Sequence, residues 1–148
     1  RAELSPQLSA YGSLGLMDSE LDRFTLSNRT PDTAGGRDLA NVPTYTYSLG
    51  LRYASTNGFW ASTELNGRDD YFESNTHDQT RSAYTVMNAS IGYRADAWSV
   101  TLWIRNLWDQ DYEDRIFYFA NAGPNWETNR YESHAAPRQF GASVRYDF

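Results

Sequence analysis

Every second residue between Thr44 and Tyr53 is a ring or a leucine. Tyr45, Tyr47, Leu49, Leu51 and Tyr53 fall on one face of an extended chain, and Thr44, Thr46, Ser48, Gly50 and Arg52 on the other. A period of two cannot be wound into a helix without scattering its apolar residues around the circumference. It fits a strand with one greasy and one wet side. The same alternation returns with Trp98, Val100, Leu102 and Ile104 set against Ser99, Thr101, Trp103 and Arg105. Thr85, Met87, Ala89, Ile91 and Tyr93 make a third row, and Phe140, Ala142, Val144, Tyr146 and Phe148 a fourth that runs to the last residue. Weaker strands are predicted near residues 7–16 and 59–67, for about six in all. No helical, repetitive or low-complexity stretch competes; Gly12 and Gly15 read as strand glycines.

The Tyr45–Tyr53 row has rings at both ends and leucines between. Aromatic side chains favour the two water–lipid boundaries of a bilayer and aliphatic ones its interior, which is the girdle pattern of membrane barrels. Composition agrees. The 148 residues include 11 Tyr, 7 Phe and 5 Trp, yet mean hydropathy is only −0.71. A soluble domain so rich in rings would bury them in a core and be more apolar on average. In a barrel only alternate residues meet lipid, so half of each strand stays polar. No apolar run is long enough for a helical span.

The connections alternate in length. Ser55-Thr56-Asn57-Gly58, with its Asn-Gly hairpin signal, and Ala95-Asp96-Ala97 are tight turns. Residues 18–43, 69–82 and 109–137 are long and polar and read as loops. Short periplasmic turns and long extracellular loops produce this alternation in an up-and-down membrane barrel. The chain then starts and ends on the periplasmic side. Single-chain bacterial barrels begin at about eight strands, so the edges of about six are expected to pair with strands from further sequence. The opening residues, Arg1-Ala2-Glu3-Leu4-Ser5-Pro6, lack the apolar region of a signal peptide, and a fragment is expected.

Other classes find little support. A net charge of −6 is wrong for a general nucleic-acid binder, which needs a cationic face. All 13 basic residues are Arg; no physical reason for that is evident. With no Cys there is neither a disulfide framework nor a thiolate metal site. No nucleophile elbow, catalytic triad, phosphate-cradling glycine loop or zinc spacing occurs, so neither catalytic residues nor a cofactor is expected. Asp69, Asp70, Glu73, His77 and Asp78 form an oxygen-rich stretch of the kind calcium takes. They have no fixed ligand spacing, and a solvated charge run is the expectation, with no metal. His134 carries no signal.

The C-terminal stretch Pro137-Arg138-Gln139-Phe140-Gly141-Ala142-Ser143-Val144-Arg145-Tyr146-Asp147-Phe148 resembles the terminal strand of outer-membrane proteins. Phe140, Gly141, Val144, Tyr146 and Phe148 would then carry the signal that the barrel assembly machinery captures by strand addition. Upstream come Tyr84-Thr85-Val86-Met87-Asn88-Ala89-Ser90-Ile91-Gly92-Tyr93, Trp98, and Asn106-Leu107-Trp108-Asp109 with Tyr112; Leu39-Ala40-Asn41-Val42-Pro43 precedes Tyr45. Together these resemble the end of TonB-dependent receptors, over nearly the whole chain and most strongly after Tyr84. Trp108 stands where Phe is commoner in that family.

The resemblance implies that residues 1–148 are the C-terminal part of an all-β, antiparallel transmembrane barrel of about 22 strands with an internal plug. The plug and the TonB-contacting segment would lie in sequence not included here. It implies active import of an iron–siderophore or a similar scarce nutrient across a Gram-negative outer membrane, in contact with lipopolysaccharide. Arg115, Phe117, Tyr118, Phe119, Trp126, Arg130 and Tyr131, in the longest loop, are the ligand candidates, since rings and guanidinium groups hold catecholate or hydroxamate chelates by stacking and charge. The plainer reading packs them on neighbouring loops or lipopolysaccharide. Glu64, Arg52 and Arg105 are assigned to the lumen wall. A passive porin or small adhesin-type barrel is one alternative. A soluble β-sandwich carbohydrate-binding module, its rows facing each other across a dry core, is another.

Overall fold

The computed structural model describes residues 1–23 and 35–148. The middle of the first long loop, residues 24–34, lies outside the described residues. The strands are β1 (Ala2–Ser5), β2 (Leu8–Leu16), β3 (Tyr45–Ala54), β4 (Phe59–Arg68), β5 (Tyr71–Ser74), β6 (His77–Arg81), β7 (Tyr84–Arg94), β8 (Trp98–Arg105), β9 (Glu113–Ala122), β10 (Glu127–His134) and β11 (Gln139–Tyr146). Seven form one antiparallel sheet in the order β1-β2-β3-β4-β7-β8-β11; β5–β6 and β9–β10 are separate two-stranded hairpins. Neighbours in the sheet are neighbours in sequence apart from the hairpins, so the chain runs up and down.

Register decides the faces, because residues directly opposite in an antiparallel pair point to the same side. Leu49 sits opposite Gly12 and Leu65, Leu65 opposite Met87, Ile91 opposite Leu102, and Leu102 opposite Ala142. All the apolar rows therefore join on one surface. Leu49 and Leu102 are each 51% exposed and Phe140 80%. No second layer covers them, and among the described residues Tyr71 is the one buried large hydrophobe. The rows do not meet across a sealed core, as a sandwich requires. One open sheet with a continuous greasy side is a piece of barrel wall whose solvent on that side is lipid.

The tight turns form a common rim. Backbone bonds run from Ala54 N to Gln7 O, Arg94 N to Gly58 O, and Asp147 N to Ala97 O. Gly58 adopts φ +92°, and a Cβ there would lie 2.1 Å from the Arg94 carbonyl oxygen. Above this rim Tyr53 packs on Phe59 and Tyr93 on Trp98, with ring centroids 6.3 and 5.8 Å apart. A lower girdle of rings thus marks one edge of the greasy band.

Across the opposite, lumen-facing side, large rings lie over glycines on the next strand. A Cβ on Gly50 would meet the Tyr11 ring at 2.1 Å, one on Gly92 the Trp60 indole at 2.6 Å, and one on Gly141 the Trp103 indole at 2.4 Å. In each case the two residues are direct cross-strand partners. Ring-on-glycine pairs fill the pleat and fix the register.

Three features depart from the sequence expectation. β1 adds a short strand beside β2, making seven in the sheet. Two of the expected long loops contain hairpins. Strand β11 ends at Tyr146; Phe148 lies beyond it and is fully exposed, its ring edge-on to Tyr146. The hairpins escape a hydrophobicity pattern for different reasons. In Tyr71–Arg81 both faces are largely polar, so no alternation shows, while Ile116 to Ala120 is a continuous apolar run with no wet side.

Candidate functional site

The long connections gather at the end of the wall opposite the tight-turn rim. The return arm of the first loop packs on β5–β6: Arg37 donates to the Ser74 carbonyl and to Asp78 at 2.8 Å each, and its guanidinium lies 4.4 Å from the Phe72 ring centre. Asn41 N donates to Phe72 O at 2.9 Å. Below, Arg68 at the top of β4 lies against both Tyr71 and Tyr84, 4.7 and 4.6 Å from their ring centres, and Tyr112 stacks on Tyr84 at 4.1 Å. Arg68 and Tyr84 are cross-strand partners on the lumen-facing side, so the hairpins are rooted on that side of the wall.

At the centre is Glu73 on β5, whose side chain is 1% exposed. Its carboxylate accepts from Arg130 Nε at 2.8 Å, Arg130 Nη2 at 2.7 Å and the Tyr118 hydroxyl at 2.7 Å. The planar guanidinium fork matches both carboxylate oxygens, the strongest geometry open to this pair. Those bonds, led by the one from Arg130, hold the Glu73 carboxyl below its usual range. Burial and the bond to Glu73 push the Tyr118 hydroxyl up to about 12. The Tyr118 ring also stacks on His77, with centroids 3.9 Å apart and planes 7° from parallel. Arg81, buried on β6, donates to the Tyr71 hydroxyl and stands 3.9 Å from Glu113 on β9.

These contacts correct one expectation. Glu73 is no solvated loop charge: it is buried and paired. Nor do Asp69, Asp70, Glu73, His77 and Asp78 converge; among the described residues no three His, Cys, Asp or Glu side chains stand close enough to share a metal ion. His134 pairs with Asp111 at 2.8 Å, which raises its pKa. Arg81 and Tyr71 were invisible to sequence reasoning, because neither has a neighbour in sequence that signals burial.

The ligand candidates of the longest loop divide between two faces of β9–β10. Tyr118 and Arg130 are direct partners and turn toward Glu73. Phe117 and Tyr131 are partners on the other face, stacked at 5.3 Å, and Phe119 shares it with Asn129. Arg115 is exposed on that same face, opposite Ser133. Trp126 occupies the turn, 66% exposed. The structure therefore makes two groups of what the sequence offered as one.

Asn106-Leu107-Trp108-Asp109 turns out to be the clasp at the base of this loop. Asn106 is buried with φ 51°, a left-handed conformation that Asn tolerates better than most residues. Its side chain accepts from Gln110 N and donates to Gln110 O, both at 2.9 Å, while its own N–H donates to Asn88 Oδ1 at 3.1 Å. Asp109 accepts from Arg138 N at 2.8 Å across the loop mouth, and Leu107 N donates to Met87 O. Tyr112 adds its stack on Tyr84. On the lumen-facing side, Glu64 accepts from Tyr11 at 2.6 Å, and Arg52 and Arg105 lie near the Trp60 and Trp103 rings. At the closing strand, Phe140, Val144 and Tyr146 point to the greasy side, and Gly141 seats Trp103.

The family model for the TonB-dependent receptor-like β-barrel matches residues 3–107. The chain belongs to the TonB-dependent receptor β-barrel family. Members are outer-membrane transport receptors of Gram-negative bacteria that work with TonB, not enzymes. Three solved receptors share the fold of this barrel segment. The siderophore receptor PiuA of Acinetobacter baumannii is 19% identical, with a TM-score of 0.71 over 96% of this chain and 19% of its own. The ferric yersiniabactin uptake receptor FyuA of Yersinia pestis is 15% identical, with a TM-score of 0.73 over 98% of this chain and 22% of its own. The ferric-catecholate import receptor Fiu of E. coli K12 is 18% identical, with a TM-score of 0.62 over 95% of this chain and 19% of its own. The segment thus spans about a fifth of the length of those receptors. The family model stops at Leu107, within the clasp; the structural likeness continues through the last loop and closing strand.

Proposed function

We propose that this segment is the C-terminal wall of an outer-membrane receptor that imports an iron–siderophore or a chemically similar scarce nutrient. Its plug, remaining strands and TonB-contacting part belong to sequence preceding it. The observation that carries this reading is the asymmetry of the sheet ends: bare turns at one rim, and at the other paired hairpins that present Arg115, Phe117, Phe119 and Trp126 to solvent, with Tyr131 half-buried against Phe117. Rings beside a guanidinium suit an anionic aromatic chelate, which gains from stacking and charge together. Tyr118 and Arg130 are committed to Glu73 and contribute by holding the hairpin in place. The protein acts as a carrier, with no bond made or broken in its cargo. Phe140, Gly141, Val144, Tyr146 and Phe148 form the strand taken up by the barrel assembly machinery, the ring girdle at the tight-turn rim sits at one membrane boundary, and the opposite end of the wall lies beside lipopolysaccharide.

Uptake of labelled ferric chelates by iron-starved cells tests the reading. Uptake that needs this protein and stops when the proton gradient collapses is the expected result; uptake that survives collapse would make the barrel a passive porin. Within the loop, Arg115→Ala and Phe119→Ala are each expected to weaken chelate binding about tenfold. Unchanged binding in both would remove this face from the ligand site.

A further inference from the structure

We infer that hairpins β5–β6 and β9–β10 are latched into a single body by a cluster of acids and bases drawn from both. Glu73 and Arg81 come from the first hairpin, Glu113, Arg130 and Glu132 from the second. Contacts alternate in sign around the group: Glu73 to Arg130 at 2.7 Å, Arg130 to Glu113 at 3.9 Å, and Glu113 to Arg81 at 3.9 Å. Arg130 also pairs with Glu132 on its own strand, so the acids outnumber the bases by one, and the more exposed Glu113 and Glu132 carry that excess at the edge of the cluster. Glu73 and Arg81 are almost wholly enclosed, and separating the hairpins would strip both of their ion-pair partners on the second hairpin. Tyr118 reinforces the join twice, donating to Glu73 and stacking on His77 of the opposite hairpin.

Little else ties the two hairpins together. They belong to different sheets and share no backbone ladder. The latch therefore decides whether they swing separately or together. Given the receptor reading above, the joined pair forms a lid on the lumen side of the outer rim, with the exposed Phe117–Tyr131 face carried along when it moves. Sequence spacing hid the arrangement, since Glu73 and Arg130 are 57 residues apart.

Amide hydrogen exchange of the ligand-free, full-length protein in detergent tests the inference. Arg130→Gln, on the second hairpin, is expected to speed exchange across residues 71–81 of the first at least about tenfold. Glu73→Gln should do the same to residues 113–134, with the β7 wall unchanged in both. The double variant should exchange no faster than the faster single one, because both remove the same interaction. Tyr118→Phe, which keeps its ring, should give a smaller acceleration in residues 71–81 and guards against a variant that fails to assemble. Exchange in residues 71–81 that ignores Arg130→Gln and Tyr118→Phe, or a fully additive double variant, would overturn the latch. Because no ligand is present, that outcome leaves the uptake reading intact, and loss of uptake in cells leaves the latch intact.

Discussion

Asn106 does three jobs in one position: it turns the backbone left-handed, pairs through its side chain with both backbone groups of Gln110, and donates its own N–H to Asn88 Oδ1. Ala would keep neither the side-chain bonds nor an easy φ of 51°. Asn106→Ala is expected to cost about 3 kcal/mol, and Asn106→Gly about 2, since glycine restores the conformation but not the bonds. Urea unfolding of the refolded barrel in detergent reads both; equal losses would show that strain plays no part. The charged residues set a pH dependence. Glu73 titrates below its ordinary value when folded, so its contribution is complete above about pH 4.3 and is lost as pH falls through the folded value. Protection of residues 71–81, taken relative to the intrinsic exchange rate at each pH, should therefore hold steady from neutral pH to about pH 5 and fall in stronger acid. His134 has the opposite sign: its raised pKa makes a contribution that is present below about pH 6.5 and fades as pH rises through the folded value.

Among the elements, the six wall strands with a greasy row were legible, because alternate residues there must choose lipid or lumen. The hairpins between them were not. Tyr71–Ser74 and His77–Arg81 are held by ion pairs and ring stacking with distant segments, and nothing in a local window reports those. Glu73 shows the gap most clearly: within the run of Asp69 to Asp78 it looks solvated, and only Arg130 and Tyr118 explain its burial. The ring-on-glycine pairs were equally hidden, since they need the register. They make their own prediction. Gly92→Val would drive its side chain into the Trp60 indole at the β4–β7 pairing, and Gly141→Val into Trp103 at β8–β11. Each is expected to cost about 2 kcal/mol by overpacking, measured by the same urea unfolding. A loss no larger than that of Gly123→Val, where a Cβ meets nothing, would remove the pairs from the account of register.

For the molecule as a whole, everything functional depends on which solvent each face of the sheet meets. The greasy face is exposed, continuous and ringed near the tight-turn rim by Tyr53, Phe59, Tyr93 and Trp98; the other carries Glu64, Arg52 and Arg105 among small polar residues and the rings of Tyr11, Trp60 and Trp103. These 148 residues hold no cysteine, so in a full-length protein whose other cysteines, if present, are replaced, single cysteines bearing a fluorophore can be placed at Ser48, Leu49, Thr101 and Leu102 and studied in bilayers. Quenching by brominated lipid is predicted to be strong at 49 and 102 and weak at 48 and 101, with a water-soluble quencher giving the reverse. Leu49 and Leu102 labels that neither quencher reaches would place those rows in a dry interior and contradict the membrane wall.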